Sequence, residues 1–310
     1  MNSLKCPSCK LESNEFKKVK YPAFSEKAEC VPSYILVCAH CGLEFSNPMP
    51  SEKDLQKLYQ DNQYWGDTVK PAIHPKTFPV PFALAEARWH LLVSYLPKWD
   101  KEIVIKILDI GAGQGCFAMV ASKYLPEHRI EYSAVEPDTM MRDSLKESWP
   151  QVKTKTQLDL HHSLGGINQR FHIIVLSHVL EHVADPISFL KNLHQFLDQD
   201  GILFVDVPNQ DHLFKKNVFP HLLFFSPESL KIVLENSGFK MLTVGSWGRG
   251  RESTPMNGNV FSFLRVLERV VMKVQKIIPS KGLVAYFSWH FGINKLHPRG
   301  TWIRAIGKLK

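Results

Sequence analysis

The sequence has no apolar run approaching the ~20 residues that span a bilayer. Its opening, Met1-Asn2-Ser3-Leu4-Lys5-Cys6-Pro7, lacks the apolar stretch of a secretory signal. Together these absences set the expectation of a cytoplasmic protein. Internal repeats and low-complexity tracts are also missing, which argues against solenoid and fibrous designs. Cysteine is scarce: there are six in 310 residues, and four fall as Cys6-x2-Cys9 and Cys38-x2-Cys41. That is metal-ligand spacing rather than the spacing of a disulfide scaffold. Cys30 and Cys116 lie outside it. What is present is the composition of a globular chain, 44% hydrophobic and 22% charged, able to bury one core with appendages or two modest domains.

Acidic residues run out towards the C-terminal end. From Arg249 to Lys310 there are 12 Lys and Arg against Glu252 and Glu268, while the rest of the chain carries 26 basic and 28 acidic residues. The net charge of +8 therefore belongs to the last fifth. Such asymmetry points to an anionic contact (a phosphate-bearing substrate, nucleic acid or a lipid surface) or to a solvated basic face.

Three regions follow from the patterning. Residues 1–50 are short, turn-rich and Cys-bearing, and read as a small zinc-binding module. Residues 51–100 form a helical lead-in, with periodicity over 52–59 and again over 82–96, where Leu84, Ala87, Leu91 and Leu92 recur at helical spacing. Residues 101–310 alternate strands (103–110, 130–136, 150–155, 171–177, 201–207, 239–246, 301–309) with helices near 115–124, 138–148, 185–197 and 226–237. Asp138 and Asp185 suit N-caps, Pro186 a first helical turn, and Gly238 a C′ position. Alternation of this kind predicts a mainly parallel sheet covered on both faces. About fifty residues separate the last two strands, too many for a structureless loop. They read as a basic helical insertion at 248–300, with Val260, Leu264, Leu267 and Val271 on one side.

The strongest chemistry lies at Ile107-Leu108-Asp109-Ile110-Gly111-Ala112-Gly113-Gln114-Gly115. An apolar strand enters three alternating glycines and then a helix start, so backbone can approach a ligand closely and unpaired N–H groups face it. A dinucleotide fingerprint would need Gly at position 116, which is Cys, and Asp109 would repel a pyrophosphate. Asp109 suits instead the ammonium group of an aminoacyl ligand. The next strand ends in Glu136, a carboxylate able to accept both ribose hydroxyls of an adenosine. Asp-x-Gly-x-Gly-x-Gly followed by that Glu resembles motifs I and II of class I S-adenosylmethionine (SAM) methyltransferases. The segment from Phe171 through Ser177-His178-Val179-Leu180-Glu181-His182 to Asp185-Pro186 resembles the Leu-Glu-His segment of the broad methyltransferase family with an N-terminal zinc ribbon, many of whose members modify glycans or other small metabolites. The likeness extends to Cys38-Ala39-His40-Cys41-Gly42 and to Tyr64-Trp65, and covers about residues 1–247 and 301–309.

The resemblance implies a Rossmann-like α/β fold with a seven-stranded, mostly parallel sheet in the order 3-2-1-4-5-7-6. It implies SAM as cofactor, held by Asp109, Gly111, Gly113, Gly115, Glu136 and Ser177. Cys6, Cys9, Cys38 and Cys41 would close a tetrahedral thiolate site; four thiolates leave no open position, so the Zn2+ is structural. His40 is the less well-spaced substitute for Cys41. Transfer from a sulfonium needs alignment and, for a hydroxyl acceptor, a base. His182 is the first candidate, then His178 and His221; each also reads as a packed histidine. His178-x-x-Glu181-His182 matches a zinc-protease pattern formally, but it follows a buried strand of a nucleotide-binding sheet and finds no further ligand. In relatives acting on quinone precursors Glu-x-x-Glu-His is associated with a divalent cation, and His178 here replaces the first Glu. Arg88, on the helix before the sheet, reads either as a solvated face or as the partner of a carboxylate of cofactor or substrate.

The expected reaction is methylation of a small-molecule or glycan-type acceptor, at oxygen, the acceptor being anionic or lipid-linked. Two rivals stand beside it. An RNA methyltransferase would use the basic segment, but there is no Asn-Pro-Pro-Tyr-type tetrapeptide. A non-enzymatic interaction scaffold would have no need of both the glycine loop and Glu136. The basic segment also allows peripheral membrane contact.

Overall fold

The computed structural model describes residues 4–13, 15–23, 31–59, 79–149, 155–250 and 296–310. The N-terminal residues form the short hairpin β1 (Leu4–Lys5) and β2 (Glu12–Ser13), followed by β3 (Lys17–Lys20), β4 (Tyr34–Val37) and β5 (Glu44–Asn47). Helices α1 (Glu52–Tyr59) and α2 (Pro79–Val93) lead into β6 (Val104–Ile110), α3 (Cys116–Tyr124), β7 (Arg129–Val135), α4 (Thr139–Ser148), β8 (Thr156–His161) and β9 (Phe171–Ser177). Then come α5 (Pro186–Asn192), β10 (Leu197–Pro208), β11 (Leu223–Phe224), α6 (Pro227–Asn236), β12 (Phe239–Gly250) and β13 (Gly300–Leu309).

Seven strands make the main sheet in the order β12-β13-β10-β9-β6-β7-β8. Counting only those strands, this is the expected 3-2-1-4-5-7-6, with β13 antiparallel to both neighbours and the others parallel. The central strands are buried on both faces, so they read as unbroken apolar runs. Leu108, Ile174, Leu203 and Val205 face α5 and α6. Ile107, Tyr132, Ile173 and Phe204 face α2 and α3. At ~1.5–3 kcal/mol for each large apolar side chain taken from water, these two layers dominate what holds the sheet together.

The helix boundaries follow local chemistry. Asp138 accepts from Met141 N at 2.9 Å and Asp185 from Ser188 N at 3.2 Å, each capping its helix with Pro186 in the first turn of α5. Ser226 and Ser229 cap α6 reciprocally, and Gly238 follows it at φ +90°. One strand departs from expectation. The third strand of the sheet is Thr156–His161, not 150–155; residues 150–154 lie outside the described residues. As an edge strand with one partner it alternates half-buried and exposed positions (Thr156, Gln157, Leu158, Asp159) and has no apolar run to find.

The N-terminal strands are joined to the main body by backbone. β11 pairs with β5, completing a four-stranded sheet β11-β5-β4-β3. Cys6, Leu36, Leu43 and Phe45 pack in the same hydrophobic cluster as Leu108 and Ile174. The expected basic insertion lies almost wholly outside the described residues, as do Cys30, Tyr64 and Trp65.

Candidate active site

The glycine loop leaves β6 at the carboxyl edge of the sheet, where Gly111 N and Ala112 N both donate to Val135 O, at 2.7 and 3.2 Å. Gly111, at φ +71°, has no room for a side chain: a Cβ would stand 2.5 Å from Val179 Cγ2. Gly113, at φ +53°, faces open space instead, with nothing within 4 Å of such a Cβ. Only glycine takes these turns cheaply while leaving room for a ligand. Glu136 lies beside the opening. Its two carboxylate oxygens accept from Gly113 N at 2.8 Å and Asp138 N at 3.0 Å. Burial pushes its carboxyl up, and those two amides partly offset this. Each oxygen keeps a second lone pair for a ribose hydroxyl. Asp109 is buried, accepts from Tyr132 Oη at 2.6 Å, and burial lifts its pKa to about 7 against the pull of Tyr132.

The three candidate histidines converge at the end of β9. His178 takes φ +57°, a left-handed turn costing a non-glycine residue ~1–2 kcal/mol. That turn aims Nδ1 at Glu181 Oε1, 3.1 Å away. Glu181 is fully buried; burial raises its pKa, but the His178 hydrogen bond and the neighbouring imidazoles outweigh this and hold it below the usual range. His182 Nδ1 donates to Pro220 O at 3.4 Å, which fixes the tautomer and leaves Nε2 as the basic nitrogen, 3.9 Å from Glu181 Oε1. Burial lowers the pKa of His182 to about 4, so it is neutral at pH 7. His221 stacks edge-on against it, ring centroids 4.9 Å apart. Behind His221 stands Asp211, with Oδ2 3.0 Å from His221 Nδ1 and 2.8 Å from Lys215 Nζ. Ligand atoms of Glu181, His182 and His221 all lie within 4.8 Å of one another, so the trio has the reach of a cation site as well as that of a base.

Sequence reading missed a second buried group. Asp206, on β10 opposite Ser177, takes Arg88 Nε at 2.6 Å and Arg304 Nε at 3.2 Å. Burial alone would raise its pKa, yet the two guanidinium charges pull it below the carboxylate range. Arg88 thus meets a carboxylate of its own chain, not solvent. A charged residue inside each of two apolar strands, Phe204-Val205-Asp206-Val207 and Ile303-Arg304-Ala305, was the available signal. His212 and Glu44, 2.8 Å apart, are another long-range pair that sequence reading missed.

The four cysteines meet. Cys6 Sγ lies 3.6 Å from Cys41 Sγ, Cys9 Sγ lies 3.6 Å from Cys38 Sγ, and all four sulfurs fall within 4.8 Å. A tetrahedron of Zn–S bonds near 2.3 Å puts sulfurs ~3.8 Å apart, so the donor set fits that ion. The Cys6–Cys41 hydrogen bond pushes the Cys6 thiol up and holds Cys41 down. His40 is exposed and outside the cluster. The two knuckles are backbone twins: Lys10 N donates to Cys6 O and Gly42 N to Cys38 O, at φ +59° and +69°.

This sheet order, with a glycine loop and an acid at the carboxyl edges of its first two strands, defines a SAM-dependent methyltransferase of the Rossmann-like class. Residues 83–244 match the family described as "Methyltransferase domain", just over half of the chain, and the protein belongs to that family. Among curated proteins it is 24% identical over 169 residues to a ubiquinone biosynthesis O-methyltransferase of Coxiella burnetii, covering 47% of this chain and 69% of that one. A mitochondrial ubiquinone biosynthesis O-methyltransferase of Bos taurus is 26% identical over 158 residues, covering 45% of this chain and 42% of that one. A SAM-dependent methyltransferase structure from Aquifex aeolicus superposes with a TM-score of 0.46 at 12% identity, over 84% of this chain and 100% of that one. No described helix is long and apolar enough to cross a membrane.

Proposed function

We propose that the enzyme methylates an oxygen of a small-molecule or glycan-type acceptor, with His182 as the base. SAM is held by the Gly111–Gly115 loop and Glu136, with Asp109 toward its ammonium group and Ser177 at the floor. The observation that carries this reading is the neutral, tautomer-fixed His182 beside His221 and Glu181, in a turn whose Val179 abuts Gly111. The Val179–Gly111 contact supports a base close to the loop proposed to hold the methyl donor. The acceptor hydroxyl loses its proton to His182 Nε2 as its oxygen attacks the methyl carbon, and the neutral thioether leaves. His178 and Asp211 orient the base pair through Glu181 and His221. The named O-methyltransferase relatives support oxygen as the acceptor atom. Zn2+ on the four cysteines has a structural role only.

The test is calorimetric titration with S-adenosylhomocysteine (SAH), then label transfer from methyl-labelled SAM to phenolic and sugar hydroxyls. Glu136→Ala should weaken SAH roughly 100-fold, the loss expected for two hydrogen bonds to a charged acceptor. Absence of SAH binding by folded wild-type protein sinks the reading. A second reading keeps the reaction but gives Glu181, His182 and His221 a divalent cation, favoured by their mutual reach. Mn2+ titrated against the protein and followed by its paramagnetic signal should then bind to wild type and not to His221→Ala. Turnover that proceeds without added or bound cation selects the base.

A further inference from the structure

One buried group at the carboxyl edge is left unused by the glycine loop and by the Glu181–His182–His221 group. Asp206 is one carboxylate held by two guanidiniums, Arg88 from α2 and Arg304 from β13. Both engage it through Nε. The third neighbour of Asp206 is His178, with Nε2 at 3.6 Å, which brings no negative charge. Asp109 is the other carboxyl that senses Arg88, and its raised pKa leaves it only partly ionised at neutral pH. Within hydrogen-bonding reach the cluster therefore sets two guanidiniums against one carboxylate.

Arg304 is 1% exposed, yet its Nη2 is buried with no hydrogen-bond partner. A buried donor left unmade costs ~1–3 kcal/mol, and more when it is charged. The guanidinium is also held in place: its Cζ stands 5.8 Å from the Trp247 ring centroid. A planar fork with one edge occupied, one donor orphaned and its face packed on an aromatic is prepared for a planar anion. Of the side chains around Asp206, His178 is 37% exposed and Arg88 12%. His178 in turn touches Glu181, so this edge continues into the Glu181–His182–His221 group.

We propose that Arg304, with Arg88, seats a carboxylate of the acceptor, so that the enzyme selects acidic small molecules. The proposal rests on the methyltransferase reading for the word acceptor. The cofactor's own methionyl carboxylate is the other source of the same chemistry.

The experiment titrates the full-length, SAH-saturated protein with benzoate and with its neutral isostere benzamide. Benzoate should bind at least ~10-fold more tightly, and Arg304→Met and Arg304→Lys should both remove that preference while leaving SAH affinity within about twofold. Arg304→Lys keeps the charge opposite Asp206, so it reports even where Arg304→Met fails to fold. Equal affinity of wild type for benzoate and benzamide overturns the proposal. So does a variant that loses SAH affinity but keeps affinity for decarboxylated SAH, because the seat would then belong to the cofactor. A protein that takes no SAH yet still prefers benzoate would sink the methyltransferase reading and leave the seat standing.

Discussion

Two buried residues, Asp109 and His182, carry the proton chemistry of the proposed site. Asp109 has its pKa lifted to about 7 by burial, so at pH 7 it holds roughly half a proton. An ammonium group brought beside it favours the carboxylate, and cofactor binding should then release up to about half a proton at pH 7 and none at pH 9. Calorimetry of SAH binding in buffers of different ionisation enthalpy measures this; the dependence should vanish in Asp109→Asn. His182 shifts the other way. Burial lowers it to about 4, so the folded protein binds fewer protons there than the unfolded chain between about pH 4 and pH 6.5. Stability from this group is therefore lost as pH falls through that window. The acidic limb of kcat/KM should sit near pH 4 rather than 6.5, and His182→Ala should lower kcat by about 10²–10⁴ while leaving SAH affinity unchanged. An acidic limb near 6.5 would assign the base to a more exposed histidine.

At the scale of elements, the Cys-bearing knuckles offer a sharp comparison. Lys10 and Gly42 occupy equivalent positions, each accepting left-handed φ so that its N–H can close back on the first cysteine of its pair. Lysine pays there for what glycine does freely, and its exposed contact to Asp185, at 3.3 Å, repays little. Lys10→Gly should raise stability by about 0.5–1 kcal/mol, read as a higher Tm with unchanged metal content. This pair also shows what a sequence makes legible. The glycine loop, the N-caps and the Cys-x2-Cys spacings are local, each fixed by residues a few positions apart, and they were readable for that reason. The central strands were readable because burial on both faces writes a continuous apolar run. β8 was not, since an edge strand of Thr, Gln and Asp carries only alternation. The Asp206–Arg304 and Glu44–His212 contacts join residues 98 and 168 positions apart and leave no spacing to recognise. Convergence of His178, His182 and His221 was expected in kind, but the tautomer of His182 depends on Pro220, which no local pattern signals.

Over the whole molecule, the cysteine-bearing sheet holds the segment that carries His221 by backbone and side-chain hydrogen bonds, whereas the glycine loop takes its hydrogen bonds from the end of β7. The strand β5 pairs with β11, Val218 N donates to Pro22 O, and Tyr21 Oη donates to the carbonyl of His221 at 2.7 Å. Glu181 O receives Leu222 N at 2.7 Å, so the segment bearing His221 is clamped between the N-terminal sheet and the turn after β9. The glycine loop takes its own hold on Val135 and Glu136. Loosening the N-terminal sheet should therefore disable transfer before it disables cofactor binding. Removal of the proposed Zn2+ with a mercurial and chelator should cut kcat sharply while SAH affinity stays within about threefold, with amide exchange rising first over residues 218–224. Tyr21→Phe tests the same link without touching the metal site. Deleting one hydrogen bond of ~1 kcal/mol should lower kcat several-fold, with zinc content and SAH affinity unchanged. If zinc loss instead abolishes SAH binding together with all secondary structure, the module is a folding requirement of the whole chain. Its grip on His221 would then have no separate meaning.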